Sequence, residues 1–298
     1  MRGRMRALAL SLLLIPFLAA CGGDGASSAG APTVVATTTQ LADMARNIAP
    51  EAEVTALLRP NTDPHEYEVR PHDLRALAGA DIVLRSGGDV DAWLDSALDS
   101  AGVKERDVVD VGAAAGLEGD DPHWWQDPVR AERAAAAIGR AFARAGLPER
   151  SAAYEARLRA LDARVRACMD RVPAASRKLV TSHDALGYYA RRYGIQVIGA
   201  VIPALTTAAQ PSAGEVTALV DTIRRQGVKT IFAESAVNPK VEQAIAREAG
   251  ARVGPRLWAD ALGPEGTGGA TYIGSIEANT RALVQGFSGG ALDCSFDA

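Results

Sequence analysis

Apolar runs of strand length alternate with stretches of helical periodicity along most of this chain. Residues 34–39 (VVATTT) read as a buried strand and 41–49 as a helix; 54–58 (VTALL) read as a strand that stops at Arg59-Pro60. Residues 71–80 are helical, 81–86 (DIVLRS) form a strand, and 89–102 carry Val90, Trp93, Leu94 and Leu98 at helical spacing before a closing glycine. A strand at 107–111 completes a βαβαβαβ pattern, which calls for a parallel sheet covered on both faces. The theme returns with strands at 178–182 and 196–202, a helix at 185–193, a helix near 213–226 and a strand at 230–234. A helix near 239–249, a strand near 252–258 and a final helix over about 271–287 follow.

Between the halves, residues 128–172 are almost all Ala, Arg, Glu and Leu. Pro128 opens one helix, and Gly146-Leu147-Pro148 breaks it. Residues 149–172 then read as one unbroken helix, with Tyr154, Leu158, Leu161, Val165 and Cys168 on a single apolar stripe. At 1.5 Å per residue such a helix spans roughly 35 Å, about the length of a small domain. The predicted architecture is α/β: two (β/α)4-type lobes with parallel sheets joined by one long rigid helix. The lobes are expected at 32–147 and 174–298 and the connecting helix at 148–173. The length suits two cores better than one.

The N-terminus changes the expected setting. Arg2, Arg4 and Arg6 precede an apolar run over 7–20 that is short for a spanning helix. Leu18-Ala19-Ala20-Cys21 resembles a bacterial lipobox, which implies cleavage after residue 20 and lipidation of Cys21. Residues 21–31 follow as a flexible tether of Gly, Ser and Ala. The folded part is therefore expected outside the cytoplasmic membrane, held to it by lipid. Losing 1–20 removes three positive charges and no negative ones, so a formal charge of −4 becomes −7. A mildly acidic chain without basic runs argues against nucleic acid as a partner. Cys168 and Cys294 remain, and an oxidising compartment permits a disulfide between them; two separate thiols are the alternative.

The candidate chemistry rests on four residues. Of only four histidines, His65, His123 and His183 sit in polar, turn-like segments, and Asp260 sits in RLWADALGP. Their spacing is far too wide for a local zinc finger but suits a site assembled by a fold. All four follow predicted strands, two from each half, and open α/β sheets bind ligands beyond the carboxyl ends of their strands. Three neutral imidazoles and a carboxylate would fill a tetrahedral zinc shell. Singly, each histidine would read as a surface or capping residue, as His72 does. Glu66, Asp184 and Glu234 are candidates to orient the imidazoles, with helix capping or a solvated charge equally open. Trp124 and Trp125 could dry the cleft or simply be core.

With these segments in view, the chain resembles the metal-binding lipoproteins of bacterial ABC importers for zinc and manganese. The resemblance rests on DPHEYE (63–68), DPHWWQDP (121–128), SHDALGYYARRYG (182–194), ESAVNPK (234–240), LWADALGP (257–264) and GGDVDAWLDSAL (87–98). It implies two lobes joined by a long helix, with His65, His123, His183 and Asp260 as ligands. It also implies delivery of the metal to an importer permease, here by a protein expected to be a monomer. Many zinc-type members carry a long histidine-rich loop before the second ligand, whereas 112–121 is short, acidic and free of histidine. A histidine at the third ligand position favours zinc and a glutamate manganese, so His183 points to zinc. A manganese-binding member of the same family, a secreted zinc hydrolase and a lipid-anchored adhesin are the competing readings. The hydrolase is disfavoured by a fourth ligand that closes the shell and by the lack of H-E-x-x-H or G-x-S-x-G. Free imidazole titrates near pH 6.5, so metal affinity is expected to fall below about pH 6.

Overall fold

The protein is described here from a computed structural model covering residues 31–148 and 150–296. The expected signal peptide, the Cys21 lipidation site and all but the last residue of the tether lie outside the described residues.

The first half is built from β1 (Thr33–Ala36), α1 (Thr39–Ile48), β2 (Glu53–Ala56), α2 (Pro71–Ala78) and β3 (Ile82–Arg85). It continues with α3 (Leu94–Ala101), β4 (Val108–Asp110) and the short α4 (Val111–Ala115). Its four strands form one parallel sheet in the order β2-β1-β3-β4. Two helices follow, α5 (Pro128–Arg144) and α6 (Ser151–Met169). The second half holds β5 (Lys178–His183), α7 (Gly187–Tyr193), β6 (Gln196–Ile202) and α8 (Ala213–Gln226). It ends with β7 (Thr230–Ile231), α9 (Lys240–Ala249), β8 (Arg252–Val253) and α10 (Tyr272–Phe287). Here β5 pairs with β6 and β7 with β8, all in parallel, and single parallel bridges Thr181–Phe232 and Glu234–Leu257 extend the pairing. The resulting order, β6-β5-β7-β8, repeats the order of the first sheet.

Several elements are shorter than the periodicity suggests, for local reasons. The first strand ends at Ala36 because the threonines after it serve other contacts. Thr38 caps α1 by accepting from the Leu41 amide, and the Thr37 hydroxyl donates to Asp91. The stretch predicted as one helix over 89–102 is a tight turn at Gly88–Asp91 followed by α3. Buried Asp91 accepts from the Ser86 and Gly87 amides and holds that turn. The strand expected near 252–258 breaks after Val253, where Pro255 lacks a donor, and resumes only as the bridge at Leu257.

The apolar stripe on α6 is buried as predicted: Tyr154, Leu158, Leu161, Val165 and Cys168 all face inward. The helix is shorter than 149–172, and it lies against α5 and α1 on one side of the chain and α10 on the other. One consequence departs from the expectation of two cores. The largest apolar cluster runs continuously from Val34, Leu41 and Met44 through the α6 stripe to Tyr188, Phe232, Leu257 and Leu283. Smaller clusters lie behind each sheet, but the central core belongs to both halves.

Cys168 and Cys294 are joined in a disulfide, with Cα atoms 5.9 Å apart, that ties the C-terminal tail to the end of α6. The bond closes a sequence separation of 126 residues. In the chain-entropy picture a loop of that size is worth about 5 kcal/mol, and native disulfides measure roughly 2–5 kcal/mol. Reduction is therefore expected to lower the unfolding midpoint in denaturant by a corresponding amount. Identical midpoints for oxidised and reduced protein would contradict this.

Candidate metal centre

Each of the four candidate residues lies at or beyond the carboxyl end of a parallel strand or its extension. His65 lies in the loop after β2, His123 in the turn between α4 and α5, and His183 is the last residue of β5. Asp260 follows the Glu234–Leu257 bridge. The fold brings all four together, with one potential ligand atom from each lying within 4.8 Å of all the others. The His123 and His183 Nε2 atoms are 3.3 Å apart. Asp260 Oδ1 is 3.4 Å from His123 Nε2, and its Oδ2 is 3.3 Å from His183 Nε2 and 3.8 Å from His65 Nε2. His65 Nε2 and Asp260 Oδ1 are buried without a hydrogen-bond partner. Two orphaned buried polar atoms facing one point are costly unless something there satisfies them.

Tight packing orients this cluster from outside. His123 is fully buried, and its Nδ1 lies 2.9 Å from Asp121 Oδ1, which also accepts from the His123 amide. His183 Nδ1 lies 2.9 Å from both oxygens of buried Glu234, so both rings present Nε2 to the centre. Of the three expected orienting carboxylates, only Glu234 contacts a ring. Glu66 is exposed and Asp184 half-buried, and neither carboxylate bonds a cluster histidine among the described residues. Asp184 instead donates its amide to the Ala204 carbonyl. Asp121 was missed, although a signal was there: Asp63-Pro64-His65 and Asp121-Pro122-His123 repeat the same Asp-Pro-His unit. In both, the aspartate accepts from the histidine amide, at 3.0 and 3.1 Å. Gly88 makes room for the second unit. Its φ of +69° is left-handed, and a Cβ there would come within 2.7 Å of Pro122. His72 pairs with neighbouring Asp73 at 3.0 Å, with half its side chain exposed, away from the cluster.

The Asp260 loop is fastened mainly by the first half of the chain. Gln40 donates to the Asp260 carbonyl, Trp125 and Gln126 donate to the Ala259 carbonyl, and Thr39 accepts from the Leu262 amide. Trp125 and Trp124 are thus core residues with a positional task. Trp124 bonds the Ser86 carbonyl, and the Trp125 ring stands edge-on to His123 at 5.3 Å.

Electrostatics tie the cluster together. Burial pushes His183 down, but the Asp260 and Glu234 charges outweigh it and lift the imidazole to about 10. Burial likewise opposes the charged form of His123, yet the hydrogen bond to Asp121 and the nearby Asp260 carboxylate leave it raised. His65 is lowered, chiefly by burial, against the pull of Asp260. Asp260 is held well below the usual carboxylate range. Burial alone would raise it, and the His183 and His123 charges reverse that. An ion placed between these rings would compete with protons, since His123 and His183 are both raised above the ordinary imidazole value. The competition expected to end near pH 6 thus extends upward: affinity should keep climbing with pH through neutrality toward about 10. Calorimetry in two buffers of different ionisation heat should show net proton release at neutral pH. Proton-neutral binding would contradict it.

Fold and site together define a substrate-binding protein for a metal ion rather than an enzyme. The chain belongs to the family described as "Zinc-uptake complex component A periplasmic", whose model matches residues 34–286. It is 32% identical to "Zinc-binding protein TroA" of Treponema pallidum over 95% of this chain and 98% of that protein. It is also 32% identical to "Manganese-binding lipoprotein MntA" of Bacillus subtilis, over 90% of this chain and 94% of that one. The solved structure of the periplasmic zinc-binding protein TroA superposes with a TM-score of 0.77 at 29% identity, covering 87% of this chain and 99% of the other. A further relative, 26% identical over 94% of this chain and 97% of its own length, is named "Metal ABC transporter substrate-binding lipoprotein FimA" of Streptococcus parasanguinis, and the family serves ABC-type metal importers. Among the described residues no helix is long and apolar enough to cross a membrane.

Proposed function

We propose that this protein captures one zinc ion through His65, His123, His183 and Asp260 and hands it to the permease of an ABC importer. In this reading the protein works as a monomer outside the cytoplasmic membrane, anchored by lipid at Cys21. The observation that carries the metal assignment is the convergence of one ligand atom from each of the four residues within 4.8 Å of all the others, with the His123 and His183 Nε2 atoms 3.3 Å apart. Zinc bonds of 2.0–2.1 Å in a tetrahedron require edges of about 3.3–3.4 Å. The two Nε2 atoms thus stand at the spacing of two zinc ligands, and Asp260 and His65, slightly farther out, supply the other two donors. Three imidazoles also match zinc better than manganese, which prefers oxygen and lies at the weak end of the divalent series.

Manganese is the second reading. The two oxygens of Asp260 face different histidines, so a bidentate carboxylate could raise the coordination number to five, and a relative as similar as TroA is named for manganese. Metal analysis of protein purified without chelator, followed by competition between the two ions, decides. One tightly held zinc per chain, retained against excess manganese, is expected. Preference for manganese would overturn the assignment.

The lobes of this reading are 32–147 and 174–298, joined through 148–173. Because the central core is common to both, uptake and release are assigned to loop movements at the cleft more than to wide hinge opening.

A further inference from the structure

The three histidines are not held equally. His123 and His183 each have a carboxylate on Nδ1, whereas the His65 ring carries no hydrogen bond among the described residues. What fixes His65 is its loop, and that loop is gripped from the other half of the chain. Asp63 Oδ1 accepts from the His65 amide at 3.0 Å, and Asp63 Oδ2 accepts from the Thr207 hydroxyl at 2.6 Å. Thr207 lies in the connection from β6 to α8. It is the one buried residue of 203–212 and is 6% exposed, in a segment otherwise exposed or half-buried. The root of that connection is fastened beside another candidate ligand, because the amide of Asp184, next to His183, donates to the Ala204 carbonyl. One short segment is therefore tied at Ala204 to the residue after His183 and at Thr207 to the carboxylate that sets His65.

We infer that Thr207 is a latch, a positioning residue whose bond to Asp63 holds His65 in the shell and whose breakage lets the metal leave. This rests on the ligand set proposed above. A hydrogen bond to a charged acceptor is among the stronger ones, and the carboxylate it grips is half-buried, where rehydration after breakage is incomplete. His65 is the natural ligand to swing away. It sits farthest from Asp260, and no carboxylate restrains its ring.

The test compares Thr207→Val, which keeps shape and removes the donor, with Thr207→Ser, which keeps the donor. In a chelator chase of the zinc-loaded protein, Thr207→Val should release zinc at least about tenfold faster than wild type, and Thr207→Ser should stay near wild type. A rate within twofold of wild type for Thr207→Val, or equal acceleration in both variants, overturns the latch. Amide exchange in the metal-free protein supplies a second readout. Protection at 63–67 should fall in Thr207→Val alone, and unchanged protection again overturns the latch. If wild type bound no zinc, the ligand assignment would fail while the exchange comparison still judged the latch.

Discussion

Replacing His123 with alanine is expected to lower zinc affinity by at least about a hundredfold. Loss of an orienting partner alone typically costs 10–100-fold in metal affinity, and His123 is itself a proposed ligand. Its Nε2 lies within 3.4 Å of both His183 and Asp260, and its other nitrogen is committed to Asp121. The variant should still fold, because Asp121 retains some exposure and can be solvated. It should not be energetically silent, however. The site is walled by the shared core, with Trp125 against the imidazole, so truncation leaves a hole worth about 1–3 kcal/mol. Calorimetric titration together with chemical denaturation measures both effects. Stoichiometric binding at wild-type strength would remove His123 from the shell.

Exchanging His183 for glutamate should narrow the preference for zinc over manganese, mostly through lost zinc affinity. A carboxylate supplies oxygen, which suits manganese, and weakens the imidazole-rich shell that suits zinc. The structure adds a complication. His183 is sandwiched between Asp260 and buried Glu234, whose carboxyl burial already raises. A third carboxylate there meets like charge on both sides, so one of the three must take up a proton, and the metal-free protein loses its internal ion pair. In the wild type that pair contributes stability because His183 is lifted from 6.5 to about 10. The contribution is fully present below pH 6.5 and disappears as pH rises toward 10. His183→Glu should abolish this pH dependence. The double variant His183→Glu/Glu234→Gln, which removes one negative charge, should bind manganese better than the single variant. Competitive titration of the three proteins with both ions checks the order. An unchanged zinc-to-manganese ratio in His183→Glu would show that this position does not set selectivity.

Much of the fold could be read along the chain because its signals are local. Alternating apolar runs mark parallel strands, the Tyr154-to-Cys168 stripe marks α6, and Pro128 and Gly146 punctuate the helices around it. The four clustered residues could also be placed in advance, since each follows a strand in a pattern where such ends converge. The expectation of a disulfide needed only an exported chain and two remaining cysteines.

Other features depended on approach distances between segments far apart in sequence. Glu66 and Glu234 are both acidic residues near a histidine motif, but only packing turns Glu234 toward His183 and leaves Glu66 in solvent. Asp121 was hidden by its local appearance as part of an acidic stretch. Its reach to Nδ1 follows from the turn at Pro122 and the room left by Gly88. The shared core was not legible either, because periodicity shows which face of a helix is buried but not against what. The same holds for Thr207 and Asp63, 144 residues apart, whose contact depends on how the two halves meet. Sequence alone determined the elements, their order and the chemistry gathered at strand ends, since these are set by side-chain periodicity and residue type. Only the tertiary structure decided which carboxylates aim the His123 and His183 imidazoles, how the charges of the cluster shift one another and which contact restrains His65, because those depend on distances of a few ångströms between residues that the chain keeps apart.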